Sequence, residues 1–230
     1  MPLLAPMSTI AGQLAFVVGS YHLLKHNKGK GVMIGHMDDM DPRVVTVIGA
    51  GVAGTQSILK AIDNKALVKV VDSSQSKLDD LKSKYGTENI EYILSSKDSI
   101  QVSVNESDLV IGSVYVVGKE APKVVTKDML SSMNPGTVMV DVSIDQGGCF
   151  ETSKPTTHDS PTFLENEIVH YCVTNMPGAV PLTATEALNK VSLSYVEKLA
   201  NNGIQNALDS DEHLRNCLLY TSDAADDELG

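Results

Sequence analysis

A run of β-branched residues leads directly into a glycine-rich turn and then into an amphipathic segment between residues 44 and 63. Residues 44–48 read VVTVI, and residues 49–54 read GAGVAG. This order predicts a strand, a tight turn and a helix. In the GxGxxG spacing, Gly49 permits the tight turn, Gly51 lets the backbone approach a pyrophosphate, and Gly54 lets the helix pack close to the strand. The segment therefore predicts the first βα unit of a nucleotide-binding fold.

An acidic residue, Asp72, ends the second predicted strand at residues 66–72. A Rossmann-type site carries an acid about 20 residues beyond its glycine turn, where it accepts hydrogen bonds from the adenosine ribose and repels a 2′-phosphate. The pair of features predicts NAD as cofactor in preference to NADP. Two alternatives remain open at this point: a structural turn beside a solvated aspartate, and an S-adenosylmethionine enzyme, which also places an acid near this position.

Strands and helices alternate along the rest of the chain. Repeated βαβ units predict an α/β protein of Rossmann type, with a doubly wound parallel sheet and helices on both faces. Residues 27–41, which include His36, are predicted to form an exposed loop. The further predicted strands are 90–94, 107–114, 137–143 and 168–173, and the further helices are 8–26 with Ser8 or Thr9 as cap, 76–85, 126–133 with Thr126 as cap, and 183–207.

The charge balance narrows the classes of partner. The formal net charge is −11, and no basic cluster is present to neutralise phosphates, which argues against nucleic acid or an anionic membrane surface as partner. No run of about 18 apolar residues and no secretory leader is apparent, so a cytoplasmic protein is expected.

Cysteine and histidine usage predicts no disulfide scaffold and no metal site. The three cysteines form no CxxC motif and leave one unpaired, which fits buried or incidental thiols in a reducing compartment. The histidines lack ligand spacing with any cysteine or acid. The residues concerned are Cys149, Cys172 and Cys217, and His22, His26, His36 and His213.

Five strings along the chain form a specific set: PLLAPMSTIAG (2–12), VTVIGAGVAGT, VDVSIDQGG (140–148), TTHDSPT and VTNMPGAVP (173–181). Together they resemble the family of alanine dehydrogenase and the NAD(P) transhydrogenase alpha subunit, and the resemblance covers nearly all of residues 2–216. IDQGG and NMPGAVP are the most specific strings, and each follows a predicted strand at its carboxyl end, where open α/β sheets bind ligands. Both strings favour the dehydrogenase branch, because transhydrogenase relatives are expected to differ there.

The resemblance implies a catalytic aspartate, Asp145, and a set of cofactor contacts. Without the resemblance, Asp145 could equally be a turn aspartate that bonds its own backbone, Lys77 could be a solvated lysine, and Ser8 caps a helix in either case. His158 and His170 match the family but are expected to have structural roles. Beyond Gly49, Gly51, Gly54 and Asp72, the implied cofactor contacts are Ser8, Val52, Ala53, Lys77, Ser95, Val114, Tyr115, Asn175 and Met176.

The resemblance also implies a domain organisation in which only part of the family's length is present. Residues 1–7 are expected to be a hinge, 8–180 the NAD-binding domain, and 181–216 carboxyl-terminal helices of a substrate domain. The family's substrate-binding arginine and lysine and its catalytic histidine are expected on an amino-terminal domain outside this chain. Residues 217–230 are expected to be non-native, because CLLYTSDAADDE resembles a translated sequencing adapter.

As a function, the resemblance implies NAD-dependent oxidation of L-alanine with water to pyruvate and ammonia by the parent protein, whereas the chain alone is expected to be inactive. Two alternatives are the NAD-binding subunit of a proton-translocating transhydrogenase and a non-catalytic NAD-binding module. The resemblance further implies a homo-hexamer that assembles through helices of the cofactor domain, with residues 11–24 as a candidate contact or, equally, a core helix.

Overall fold

The computed structural model describes residues 3–35, 37–38, 40–116 and 119–216. Residues 1–2, His36 and the 217–230 segment with Cys217 lie outside these ranges, so the expectations for them stay untested. Within the described ranges, seven strands form one sheet: β1 (Val44–Ile48), β2 (Leu67–Asp72), β3 (Ile90–Leu94), β4 (Leu109–Gly112), β5 (Val138–Asp141), β6 (Thr162–Glu165) and β7 (Ile168–Tyr171).

The strand order is β3-β2-β1-β4-β5-β7-β6. Every neighbouring pair is parallel except β6 and β7, which are antiparallel. All six strands predicted from sequence are present: β1 and β3 have the predicted bounds, and the other four are shorter at one or both ends. The chain direction across the sheet reverses between β1 and β4, which creates a crevice at the carboxyl ends of these two strands.

Helices cover both faces of the sheet, as the alternating pattern predicts. One core contains Phe16, Ile58 and Leu78 with one face of the strands, and the opposite core contains Ile100 and Met129. The helices are α1 (Ala5–His22), α2 (Val52–Asp63), α3 (Gln75–Tyr85), α4 (Lys97–Glu106), α5 (Lys127–Leu130), α6 (Pro181–Asn202), α7 (Ile204–Ser210) and α8 (Glu212–Asn216).

Helix α1 begins three residues before the sequence prediction. Pro6 lies in its first turn, where a residue without an N–H is tolerated. Leu4 occupies the cap position, and the Ser8 N–H donates to the Leu4 carbonyl at 3.2 Å. The prediction that Ser8 or Thr9 caps this helix is therefore wrong, because both already lie inside it.

The single helix predicted over 183–207 is divided at Gly203. This residue has φ +74°, and its N–H donates to the Leu199 carbonyl at 3.0 Å, which is a typical glycine ending of a helix. Helix α6 ends just before it, and α7 begins just after it. Within the described residues, no helix is both long and apolar enough to cross a membrane.

Candidate functional site

The glycine turn after β1 is packed so closely that two of its positions require glycine. Gly49 has φ +97°, and a Cβ there would lie 2.6 Å from the Ser113 carbonyl oxygen at the end of β4. A Cβ on Gly54 would lie 1.8 Å from the Gly49 carbonyl oxygen. Strand, turn and helix are thus in direct backbone contact, which is the close packing that the motif predicts.

The third glycine, Gly51, lies where the turn opens toward solvent. It is the cap residue of α2. Among the described residues, no side chain accepts a hydrogen bond there, and an added Cβ would meet no atom within 4 Å. The first N–H groups of an uncapped helix and its dipole favour an anion. The space and the donors at Gly51, Val52 and Ala53 therefore fit a pyrophosphate.

Asp72 lies at the carboxyl end of β2 and is only 7% exposed. One carboxylate oxygen accepts the Ala50 N–H at 2.7 Å, and the other accepts the Ser74 N–H at 2.8 Å. The Lys77 Nζ, on an exposed side chain, lies 3.9 Å from the first oxygen. Because each carboxylate oxygen has a further lone pair, Asp72 can hold the turn and still accept ribose hydroxyls.

Helix α1 lies directly on α2. A Cβ on Gly12 would be 2.0 Å from the Ala53 carbonyl oxygen, and the Ser57 Oγ donates to the Gly12 carbonyl at 2.6 Å. Ser8 lies four residues before Gly12 on α1. The packing thus fixes the helix that carries Ser8 against the helix that carries the anion-binding end.

Three further predicted contacts lie at the carboxyl ends of β3 and β4. The Ser95 N–H donates to the Asp72 carbonyl at 2.9 Å, which joins the ends of β3 and β2. The Val114 carbonyl accepts the Ser143 Oγ–H at 2.8 Å, whereas the Tyr115 side chain is 66% exposed. All three residues border the same edge of the sheet as the glycine turn.

The predicted catalytic residue, Asp145, is exposed in a 3-10 turn, Ile144–Gln146, that follows β5. Within the described part of the chain, its carboxylate has no hydrogen-bond or ion-pair partner. The alternative of a turn aspartate that bonds its own backbone does not match this geometry. Its catalytic role stays a prediction.

The acid that bonds the backbone of this loop is Asp141, which sequence reasoning missed. Its side chain is fully buried, and its oxygens accept the N–H groups of Ser143 at 3.0 Å and Cys149 at 2.8 Å and the Ser153 Oγ–H at 2.5 Å. Burial raises the pKa of Asp141, and these hydrogen bonds, together with one from the Phe150 N–H, act in the opposite direction. An acid at the end of an apolar strand was the available signal.

Asn175 and Met176 follow β7, and β7 lies next to β5, the strand that precedes the loop of residues 143–148 (the Asp145 loop). Asn175 has φ +56°, and its carbonyl lies 3.2 Å from the His158 Nε2. Met176 is buried. His170 is buried too, with its ring nitrogens 2.8 Å from the Thr152 Oγ1 and 3.1 Å from the Ile168 carbonyl. His158 and His170 therefore contact neighbouring loops or strands, and their structural roles stay a prediction.

Two of the cysteines, Cys149 and Cys172, are buried free thiols, which confirms the prediction for them. Burial raises the pKa of the Cys172 thiol to about 12 and raises that of Cys149 well above its usual value. No group of three or more histidine, cysteine or acidic side chains suited to a metal ion occurs in the portion that the structure describes.

Sheet order and glycine turn together define a Rossmann-type α/β protein. Residues 15–225 match the family model "Alanine dehydrogenase/PNT, C-terminal domain". The alanine dehydrogenase of Halomonas elongata is 48% identical over 213 residues, which are 93% of this chain and 57% of the relative. The chain therefore belongs to the alanine dehydrogenase/PNT family, and it spans little more than half the length of this curated relative.

Two solved structures give the same picture. An L-alanine dehydrogenase superposes with a TM-score of 0.88 at 43% identity, covering 92% of this chain and 58% of that one. A transhydrogenase from Sinorhizobium meliloti superposes with a TM-score of 0.74 at 22% identity, covering 86% of this chain and 57% of that one. The second likeness reports the fold alone.

Proposed function

We propose that the chain is the cofactor-binding part of an NAD-dependent L-alanine dehydrogenase. The reaction converts L-alanine, water and NAD⁺ to pyruvate, ammonium and NADH, with release of one proton. The observation that carries the proposal is the joint presence, at one edge of the sheet, of the Asp72-tethered glycine turn and the exposed Asp145 loop. The family relationship supports the choice of L-alanine as substrate.

The two ends of the crevice bind different parts of the cofactor. Gly51, Val52 and Ala53 hold the pyrophosphate at the start of α2, while Asp72, Lys77 and Ser95 surround the adenosine. Ser8 adds a contact from α1, and Val114, Tyr115, Asn175 and Met176 line the nicotinamide end. When bound, NAD⁺ accepts the hydride from the substrate α-carbon.

Asp145 is the residue of this chain that acts on the reacting groups. Oxidation of the amino acid gives an imine, which water must attack before ammonia can leave. Because the Asp145 carboxylate has no partner among the described residues, it can accept a hydrogen bond from that water, orient it and take up its proton. The groups that bind the substrate carboxylate belong to a domain outside this chain.

The proposed boundary between the two domains lies at the start of helix α6. Helix α6 has no buried residue among its 22 positions, which suits a helix that packs against another domain. We assign residues 8–180 to the NAD-binding domain and 181–216 to the substrate domain. Helix α1 begins at Ala5, inside the segment assigned as a hinge.

We also propose a cytoplasmic homo-hexamer, as the family resemblance implies. Val17 and Tyr21 on α1 are more than half exposed and offer an apolar contact between subunits. Light scattering of the purified protein tests the assembly, and a stable monomer contradicts it.

The function is tested in two stages. The 230-residue chain is titrated with NADH and NADPH by fluorescence, and preference for NADH is expected because Asp72 repels a 2′-phosphate. The reading frame that encodes the chain is then expressed over its whole length and assayed for alanine-dependent NADH formation. If the whole-length protein binds NADH and lacks this activity but exchanges hydride between NADH and an NADP⁺ analogue, the result favours the transhydrogenase. If it binds NADH and shows neither activity, the result favours a non-catalytic module.

A further inference from the structure

We propose that Asp141 and Lys123 are positioning residues for Asp145, and that they clamp its loop from the buried side and from the solvent side. The inference rests on the proposed function, because it assigns their purpose to the water-activating step. Neither residue is required to touch substrate or cofactor.

The inner clamp is the Asp141 carboxylate. It gathers N–H donors from both ends of the loop, Ser143 before Asp145 and Cys149 after it. The loop closes onto it through Gly148, which has φ +77° and where a Cβ would lie 2.7 Å from the Asp141 Oδ2. A carboxylate suits this position because three of its contacts are backbone N–H groups, which can only donate, and a carboxylate offers acceptors alone.

The outer clamp is the Lys123 ammonium. Its Nζ donates to the Gly147 carbonyl and, at 2.6 Å, to the Gly148 carbonyl. The surrounding backbone runs alongside the loop, with the Ala121 N–H donating to the Gln146 carbonyl at 3.0 Å. Lys123 therefore donates to two successive carbonyls of the turn that follows Asp145 and holds that turn from its outer side.

Within the described ranges, no contact of its own carboxylate holds Asp145 in place. With no partner in the described ranges, its carboxylate depends on the backbone between Ser143 and Gly147 for its location. When a group that orients a reactant is displaced by about 1 Å, the rate of the reaction can fall about a hundredfold. Loss of the Asp141 or the Lys123 contacts is therefore expected to lower kcat more than it changes the affinity for the cofactor.

The variants are Asp141→Asn, Lys123→Met and Lys123→Arg in the whole-length product. Asparagine keeps the shape of Asp141 but places an amide NH₂ where donors already converge. Lys123→Met removes the outer clamp at an exposed position, so it keeps the test decisive if Asp141→Asn does not fold. Asp108→Asn is the matched control, since Asp108 also accepts a backbone N–H, from Val44 at 3.0 Å, but lies at the opposite end of the sheet.

Two readouts separate positioning from stability. In the alanine reaction, Asp141→Asn and Lys123→Met are expected to lower kcat about tenfold or more, with KM for NAD⁺ changed by less than about threefold, while Lys123→Arg restores most of kcat. Hydrogen exchange on the same proteins is expected to increase within residues 143–153 and to remain unchanged at the glycine turn.

Each outcome has one meaning. If kcat falls no further than in Asp108→Asn, or if the faster exchange spreads evenly over the sheet, the inference fails while the proposed function stands. If the unsubstituted whole-length product does not oxidise L-alanine, the proposed function fails, and the assignment of a catalytic purpose to the clamp fails with it.

Discussion

Asp72 and Ala50 are joined by a 2.7 Å hydrogen bond from the Ala50 N–H to the Asp72 carboxylate. The residue expected to hold the cofactor ribose therefore also fixes the turn expected to hold the pyrophosphate. One side chain couples the two halves of the adenosine diphosphate site, because a shift of Asp72 must displace the loop between β1 and α2.

Asp72→Asn is expected to lower both stability and cofactor affinity. The asparagine amide can accept only one of the two N–H donors, and leaving a buried donor unpaired costs about 1–3 kcal/mol in the free energy of unfolding. NADH affinity, measured by fluorescence titration, is expected to fall about tenfold or more, since about 1.4 kcal/mol is a factor of ten. Asp79→Asn on the exposed face of α3 is the control for charge alone, and equal losses in the two variants contradict this role.

Gly54→Ala is expected to lower stability, whereas Gly51→Ala is expected to lower cofactor affinity. A methyl at Gly54 overlaps the Gly49 backbone, so the variant is expected to lose several kcal/mol of stability, measured by urea unfolding. A methyl at Gly51 would meet no atom of the described residues within 4 Å, so it is expected to leave stability within about 1 kcal/mol and to weaken NADH binding by obstructing the pyrophosphate. Unchanged NADH affinity in Gly51→Ala argues that the anion does not sit at this helix start.

The six parallel strands were predictable because each is a short apolar run beside turn residues, and periodicity is a local signal. Helix α4 was not predicted, since its sequence, KDSIQVSVNE, alternates polar and apolar residues rather than repeating at helical spacing. Its start depends on reciprocal bonds between Ser96 and Ser99, and its apolar contacts come from Ile100 and Val104. The edge strand β6 was missed because its sequence, TFLE, is half polar and none of its four residues is buried, so it lacks the apolar run that marks the other strands.

Some residues of the candidate site were also predictable from the sequence, and others were not. The glycine turn and Asp72 follow from spacing, and Asp145 follows from resemblance. The role of Asp141 depends on donors that arrive from residues 149–153, after the chain has turned back, so no local pattern contains it. Lys123 is equally non-local, because its acceptors lie 24 and 25 residues further along the chain.

Acid is expected to destabilise the fold through His22. Its Nδ1 is buried and has no hydrogen-bond partner among the described residues, and burial, with a smaller effect of His26, lowers the His22 pKa from 6.5. The unfolded chain therefore binds a proton more readily than the folded chain, so the free energy of unfolding decreases as pH falls below 6.5. His22→Phe is expected to flatten this dependence in urea unfolding from about pH 8 to about pH 5. The pH dependence that remains in the variant is attributed partly to His170, because burial also lowers the pKa of His170. If the free energy of unfolding depends on pH equally in the variant and in the unsubstituted protein, the role of His22 is contradicted.

The thiols of Cys149 and Cys172 are expected to resist alkylation in the folded protein. The thiolate is the reactive form, and burial both excludes reagents and raises the pKa of each thiol. Iodoacetamide labelling followed by peptide mass spectrometry reports each cysteine separately. Slow labelling is expected under native conditions and rapid labelling in urea, whereas rapid native labelling of either residue contradicts its burial.

Asp145→Asn is expected to separate catalysis from folding and binding. The carboxylate has no partner within the described residues, so its replacement is expected to change the free energy of unfolding by less than about 0.5 kcal/mol. NADH affinity of the 230-residue chain is expected to remain within about threefold, because a surface side chain of equal size is retained. In the whole-length product, loss of a group that accepts a proton from water is expected to lower kcat by about 10²–10⁴. Asp159→Asn, at another exposed acid in a loop near this edge of the sheet, is the control. Full alanine-dependent activity in Asp145→Asn rules out the catalytic role and leaves the loop with a structural purpose alone.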